Sequence, residues 1–184
     1  MSSPLLTRAL DATLDRSLVL GYTKVGPALR RSWWPADAEP GSLVGQRVVV
    51  TGATSGIGEA MVTSFLDLGA TVHVLGRNPD KVTAMVADLR ASRPTAELVE
   101  EVCDVGDLDA VRAWTDDLAA RLADEPEGLH GIVHNAGVML PERTESPQGH
   151  EMSLAVHVLG PHLMIERMLP LLGAGSGGTV VLMS

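Results

Sequence analysis

The stretch Thr51-Gly52-Ala53-Thr54-Ser55-Gly56-Ile57-Gly58 decides how this chain is read. The apolar run Val48-Val49-Val50 precedes it, and Ile57, Met61, Phe65 and Leu66 follow at three- and four-residue spacing. That order reads as a strand, a glycine-rich turn and an amphipathic helix, the start of a βαβ unit. Gly52 lets the chain turn sharply. Gly56 and Gly58 remove side chains where a backbone approaches a diphosphate and where helix packs on strand. The new helix offers free N–H groups and the positive end of its dipole to phosphates.

Composition narrows the classes. With 184 residues the chain is long enough for one domain with a core of its own. A net charge of −9 argues against nucleic-acid binding, which normally needs a basic face. The single cysteine, Cys103, cannot close an internal disulfide, which fits a reducing, cytoplasmic setting. No group of Cys, His and acidic residues has metal-ligand spacing, so no metal is expected. No apolar run approaches the roughly 20 residues that span a bilayer, and the N-terminus does not read as a secretory signal.

Residues 1–42 read as an N-terminal arm and linker ahead of a domain at 43–184. Leu6, Leu10, Leu14, Leu18 and Tyr22 recur every four residues, with Val25 and Leu29 following; the pattern weakens at Gly21 and breaks near Gly26-Pro27. Such a stripe packs on the domain or, with Trp33-Trp34, makes a weak membrane-surface or partner contact through residues 1–35. The mixed polar face (Arg8, Asp11, Asp15, Arg16) weakens the membrane version.

Beyond the arm, strands are expected at Arg47 to Thr51, Thr71 to Leu75, Leu98 to Cys103, Leu129 to His134 and Thr179 to Met183. Glu100-Glu101 makes the third a poor alternator. Asn78 and Asp107 are expected N-caps, with Pro79 at the first helical position. Ser146-Pro147 is expected to open the last helix, apolar at Leu154, Val158, Ile165, Met168 and Leu169, with a kink at Gly160-Pro161. Strands alternating with helices predict an α/β fold with a doubly wound parallel sheet. Ligands of such a sheet lie at the carboxyl ends of the strands. Gly52, Arg77, Asp104 and Asn135 each follow a different strand, so all four are expected in one crevice.

Over residues 43–184 the chain resembles the short-chain dehydrogenase/reductase family, on Thr51-Gly-Ala-Thr-Ser-Gly-Ile-Gly58, Asp104-Val105 and Asn135-Ala136-Gly137. Tyr22-Thr23-Lys24 and the stretch Val138 to Glu151 look most like its dehydrogenase/reductase SDR family member 12 group. The resemblance implies a Rossmann fold and hydride transfer between a nicotinamide cofactor and a small-molecule carbonyl or alcohol. It also makes a homo-oligomer a reasonable expectation. The implied cofactor residues are Gly52, Thr54, Ser55, Gly56, Ile57, Gly58, Arg77, Asn78, Asp104, Val105, Asn135, Ala136 and Gly137. Where NAD-binding members carry an acid after the second strand, this chain has Gly76-Arg77. A guanidinium suits a 2′-phosphate, so NADP is expected over NAD.

The chain departs from the family in three places. His134 replaces the first Asn of Asn-Asn-Ala-Gly, and His157 stands at the family's catalytic Asn. The family's paired tyrosine and lysine are missing: the only tyrosine, Tyr22, precedes the glycine turn and has no lysine four residues on. The expectation is therefore a cofactor-binding half, truncated after the fifth strand and inactive by itself, with Val180-Val181-Leu182-Met183 as a bare edge. The alternative is a non-catalytic nucleotide-binding module or remnant.

Overall fold

Three successive valines make β1 (Arg47–Thr51) the centre of a parallel sheet in a computed structural model of the chain. The structure describes residues 11–16, 23, 25–125, 127–172 and 177–183. Leu6, Leu10, Leu18, Tyr22, Lys24 and Ser184 lie outside the described residues. β-Branched side chains suit an extended segment covered on both faces, and Val49 and Val50 are wholly buried. β1 pairs with β2 (Thr71–Gly76) on one side and β4 (Gly131–His134) on the other. β3 (Leu98–Val102) and β5 (Thr179–Leu182) complete the order β3-β2-β1-β4-β5, every pair parallel.

Alternate strand residues feed two cores. Val48, Val50 and Val133 pack with Val62 of α1 (Gly56–Asp67) and with Val82, Val86 and Leu89 of α2 (Pro79–Ser92). Val49 and Ile132 pack with Val111, Trp114 and Leu118 of α3 (Leu108–Arg121) and with Met164 and Met168 of α4 (Gly160–Leu172). Helices therefore cover both faces, the doubly wound Rossmann arrangement. Each buried aliphatic side chain contributes on the order of 2 kcal/mol, so the two cores, more than local propensity, hold the helices in place. Local signals still set the boundaries. Asn78 accepts from Lys81 N–H at 3.0 Å with Pro79 next to it, and Asp107 accepts from Asp109 and Ala110 N–H at 3.0 and 3.3 Å.

Several local expectations are corrected. Ser146-Pro147 lies in a turn, where Ser146 N–H donates to His150 C=O at 2.7 Å. Helix begins only at Met152, capped by Glu151, whose carboxylate accepts from Ser153 and Leu154 N–H at 2.8 Å each. A π segment, Ala155–Leu159, then leads into α4. Pro161 has no N–H for the carbonyl four residues back, and a wider turn accommodates that loss. The extra residue per turn rotates the apolar stripe. Val156, Gly160, Met164, Met168 and Leu172 are buried, while Leu154, Val158 and Leu169 stand 44%, 52% and 58% exposed.

Ile57, named both in the apolar pattern of α1 and among the cofactor residues, is 62% exposed, because the first turn of α1 faces the cleft. Gly26-Pro27 falls within the helix Val25–Arg30, in its first turn, where proline's missing N–H costs nothing. On β5, Val180, Val181 and Leu182 are all exposed.

The chain divides into two compact units, Met1–Ala38 and Glu39–Ser184. In the first, Arg30 pairs with Asp11 at 2.9 Å and also with Asp15. In the second, the turn before β1 is tied in by Leu43 N–H donating to Leu68 C=O at 2.9 Å.

Candidate functional site

The glycine turn is built around close backbone approach. Gly52 has φ +63°, and a Cβ there would meet the Ala136 Cα at 2.8 Å. Gly56 has φ +58° and open space around it, so its need is purely conformational. At Gly58 a Cβ would lie 2.3 Å from the Gly52 carbonyl oxygen and 2.7 Å from Asn135 Nδ2. Ser55 occupies the N-cap of α1 without a side-chain bond to the helix, so its side chain satisfies none of the first-turn N–H groups.

Asn135 joins this turn to β4. Its backbone N–H and that of Ala136 each donate to Thr51 Oγ1 at 3.0 Å. Its Nδ2 donates to the carbonyls of Thr51 and Gly52 at 3.2 and 3.3 Å. Val105 is pinned from the far side, since Gly160 packs so closely that a Cβ there would lie 2.1 Å from the Val105 carbonyl oxygen. Asp104, before it, is exposed at the strand end and accepts from Gly106 N–H at 2.9 Å through Oδ1.

These strand ends enclose a cleft of about 510 Å³. Gly52, Thr54, Ser55, Ile57, Arg77, Asn78, Asp104, Val105, Asn135, Ala136 and Gly137 line it, with Lys81, Cys103, Val138 and Val156 among the additional walls. Gly56 and Gly58 do not line it; they shape the turn behind. Arg77 and Lys81 make no ion pair among the described residues, so two uncompensated cations stand at one end. Burial and neighbouring carboxylates push the Cys103 thiol up to about 12, which removes it as a nucleophile.

His157 does not line the cleft. Its Nε2 lies 3.0 Å from the Val138 carbonyl oxygen and 3.2 Å from the Val138 nitrogen, so it fastens the loop after Gly137. One ring nitrogen either donates to that carbonyl or accepts from that N–H, as its tautomer dictates. His134 is buried beside Asn135, and among the described residues neither ring nitrogen has a partner. Burial holds its pKa down at about 4.

A family model described as short chain dehydrogenase matches residues 46–184. The chain belongs to the short-chain dehydrogenase family. This short-chain dehydrogenase is 35% identical over 144 residues to a short-chain dehydrogenase/reductase, iacJ, of Pestalotiopsis fici, covering 76% of the chain and 43% of that protein. It is 32% identical over 187 residues to retinol dehydrogenase 14 of Mus musculus, covering 96% of the chain and 54% of that protein. Among solved structures it resembles a metagenomic short-chain oxidoreductase in complex with NADP. The TM-score is 0.64 at 30% identity, covering 76% of this chain and 62% of that one. The chain thus spans about half the length, or less, of the curated relatives it matches.

Lys81 was missed in the sequence, although it follows Arg77 by four residues across the α2 cap. Glu101 was also missed. It is 4% exposed on β3 and bonded from three directions. The available signal was Trp114 and Arg121, seven residues apart on α3 and hence on the face that looks at the strand.

Proposed function

We propose that this cleft holds NADP(H), as part of an oxidoreductase that works on a small-molecule carbonyl or alcohol. The reading is carried by Arg77 and Lys81, two cations without an ion pair among the described residues, in a cleft that also contains the glycine turn. The turn and the α1 N-terminus suit a diphosphate. Thr54, Ser55, Ile57, Asn78 and Ala136 shape the walls around it. The two cations suit a 2′-phosphate, which NAD lacks. The carboxylate of Asp104, exposed in the cleft, would accept a hydrogen bond from the adenine amine, with Val105 packed beside it. Asn135 and Gly137 would hold the far ribose. The bound cofactor would supply or take the hydride; every group named here binds and orients.

Proton transfer to the substrate oxygen has no evident donor in these 184 residues. Tyr22 is the sole tyrosine, and Lys24 and Lys81 the sole lysines. The chain is therefore proposed to bind NADPH without turning over carbonyls. The lone buried Cys103 fits a cytoplasmic setting. Calorimetric titration with NADPH and NADH tests the binding, with tighter binding of NADPH expected. Equal affinity would remove the NADP preference, and steady NADPH oxidation with a panel of aldehydes and ketones would overturn the inactivity. The same cleft would also suit a second reading, a nucleotide-binding module without catalysis. A coding sequence that continues past Ser184 with Ser, then Tyr and Lys four apart, would eliminate that reading.

A further inference from the structure

The carboxylate of Glu101 is buried at the outer edge of the sheet and bonded to two other elements. His73 Nδ1 of β2 stands 2.8 Å from Oε1. From α3, Trp114 Nε1 donates to Oε2 at 2.8 Å, and Arg121 donates through both nitrogens at 2.9 and 2.8 Å. A carboxylate this deeply buried needs its oxygens paired, and these four donors pair them. Burial alone would raise the Glu101 pKa, but the bonds from His73, Arg121 and Trp114 hold it at about 2, so the group stays charged.

The placement of this cluster matters for the cleft. β3 and α3 are the two elements that flank the loop 103–107, and that loop carries Asp104 and Val105. Cys103 N–H donates to Gly76 C=O at 3.1 Å, and Asp107 N–H to Asp104 C=O at 3.0 Å. Apart from those backbone bonds, Glu101 is, among the described residues, the side chain that hydrogen-bonds one flank of the loop directly to the other. β2, which bears its partner His73, leads into Arg77.

We propose that Glu101 is a positioning residue for the adenosine end of the cleft, fixing both ends of the loop that presents Asp104. The role rests on the proposed NADP(H) site. Removing its charge loosens β3 from α3, and the Asp104 oxygen no longer meets the adenine amine at a fixed point. The loss is specific to the base edge, because the glycine turn is built from β1, α1 and β4.

The test uses the full 184-residue chain, titrated with NADPH and with its hypoxanthine analogue, which has a carbonyl in place of the adenine amine. The wild type is expected to prefer NADPH by about tenfold, the worth of one hydrogen bond to a carboxylate. In Glu101→Gln the preference is expected to fall to within about twofold, with the analogue's own affinity little changed. Trp114→Phe removes one donor, leaves the Arg121 pair and is expected to fall between. It decides the matter if Glu101→Gln does not fold. A tenfold preference retained in the folded variants overturns the role, since a merely structural part would lower the folded fraction and leave the ratio alone. A wild type that binds both dinucleotides equally overturns it too, while leaving the cofactor site standing. A wild type that binds neither overturns both.

Discussion

Thr51 and Asn135 lock the ends of β1 and β4 together at the mouth of the cleft. Thr51 Oγ1 accepts two backbone N–H groups, from Asn135 and Ala136, and Asn135 Nδ2 returns to the Thr51 and Gly52 carbonyls. The pair is a reciprocal clasp across neighbouring strands, and it fixes the glycine turn relative to the strand beside it. Asn135→Ala leaves two carbonyls short of a donor, so a loss of roughly 1–3 kcal/mol is expected in urea unfolding. Thr51→Val takes the acceptor from the Ala136 N–H, while Asn135 N–H keeps the Val133 carbonyl at 3.1 Å, and should cost a similar amount. If both variants unfold at the wild-type midpoint, the clasp carries no stability.

Gly58→Ala should damage the site by crowding alone, with no polar group removed. The added methyl would lie 2.3 Å from the Gly52 carbonyl oxygen, which is backbone and cannot swing aside. Either α1 slides outward or the turn opens. A lower melting temperature and loss of NADPH binding are expected together, measured by a thermal melt with and without the dinucleotide.

Arg77→Ala and Lys81→Ala separate the two nucleotides. Each removes a cation suited to a 2′-phosphate, so NADPH affinity is expected to drop about tenfold per substitution. NADH affinity should barely move. Calorimetry with both nucleotides reads the difference, and a parallel fall for NADH would mean that the residues act on the diphosphate or on folding.

Acid should unfold the chain in two stages. His134 titrates at about 4 in the folded protein against an ordinary value of 6.5. Between those values the unfolded state binds the extra proton, so stability falls as pH drops through that window. Glu101 titrates at about 2 against an ordinary 4.5, so its contribution is present above 4.5 and fades as pH falls towards 2. Urea midpoints measured from pH 7 downward should decline over both windows. His134→Leu is expected to flatten the upper window only; a slope that survives there belongs to another group.

Cys103 should be silent towards thiol reagents in the native chain. It is 3% exposed with its thiol raised to about 12, so almost no thiolate exists at neutral pH. Iodoacetamide labelling followed by intact mass should give no adduct until denaturant is added.

What the sequence determined by itself was everything encoded over short range. Val48-Val49-Val50, the spacing of Gly52, Gly56 and Gly58, and the caps at Asn78 and Asp107 act through neighbours a few residues away, and they fell where expected. Their alternation with helical periods was enough for the parallel sheet, and the sheet then placed Gly52, Arg77, Asp104 and Asn135 at one crevice. Tertiary structure decided the rest. The stripe of α4 depends on a π turn ahead of Pro161, which shifts the buried positions to Val156, Met164 and Met168. Ser146-Pro147 has the form of a helix start, yet the chain there bonds back on itself until Glu151 supplies the cap. In the sequence Glu101 only makes its strand a poor alternator. It becomes a buried anchor because folding brings His73, Trp114 and Arg121 to it, and a carboxylate's burial is decided by donors that only the folded chain assembles.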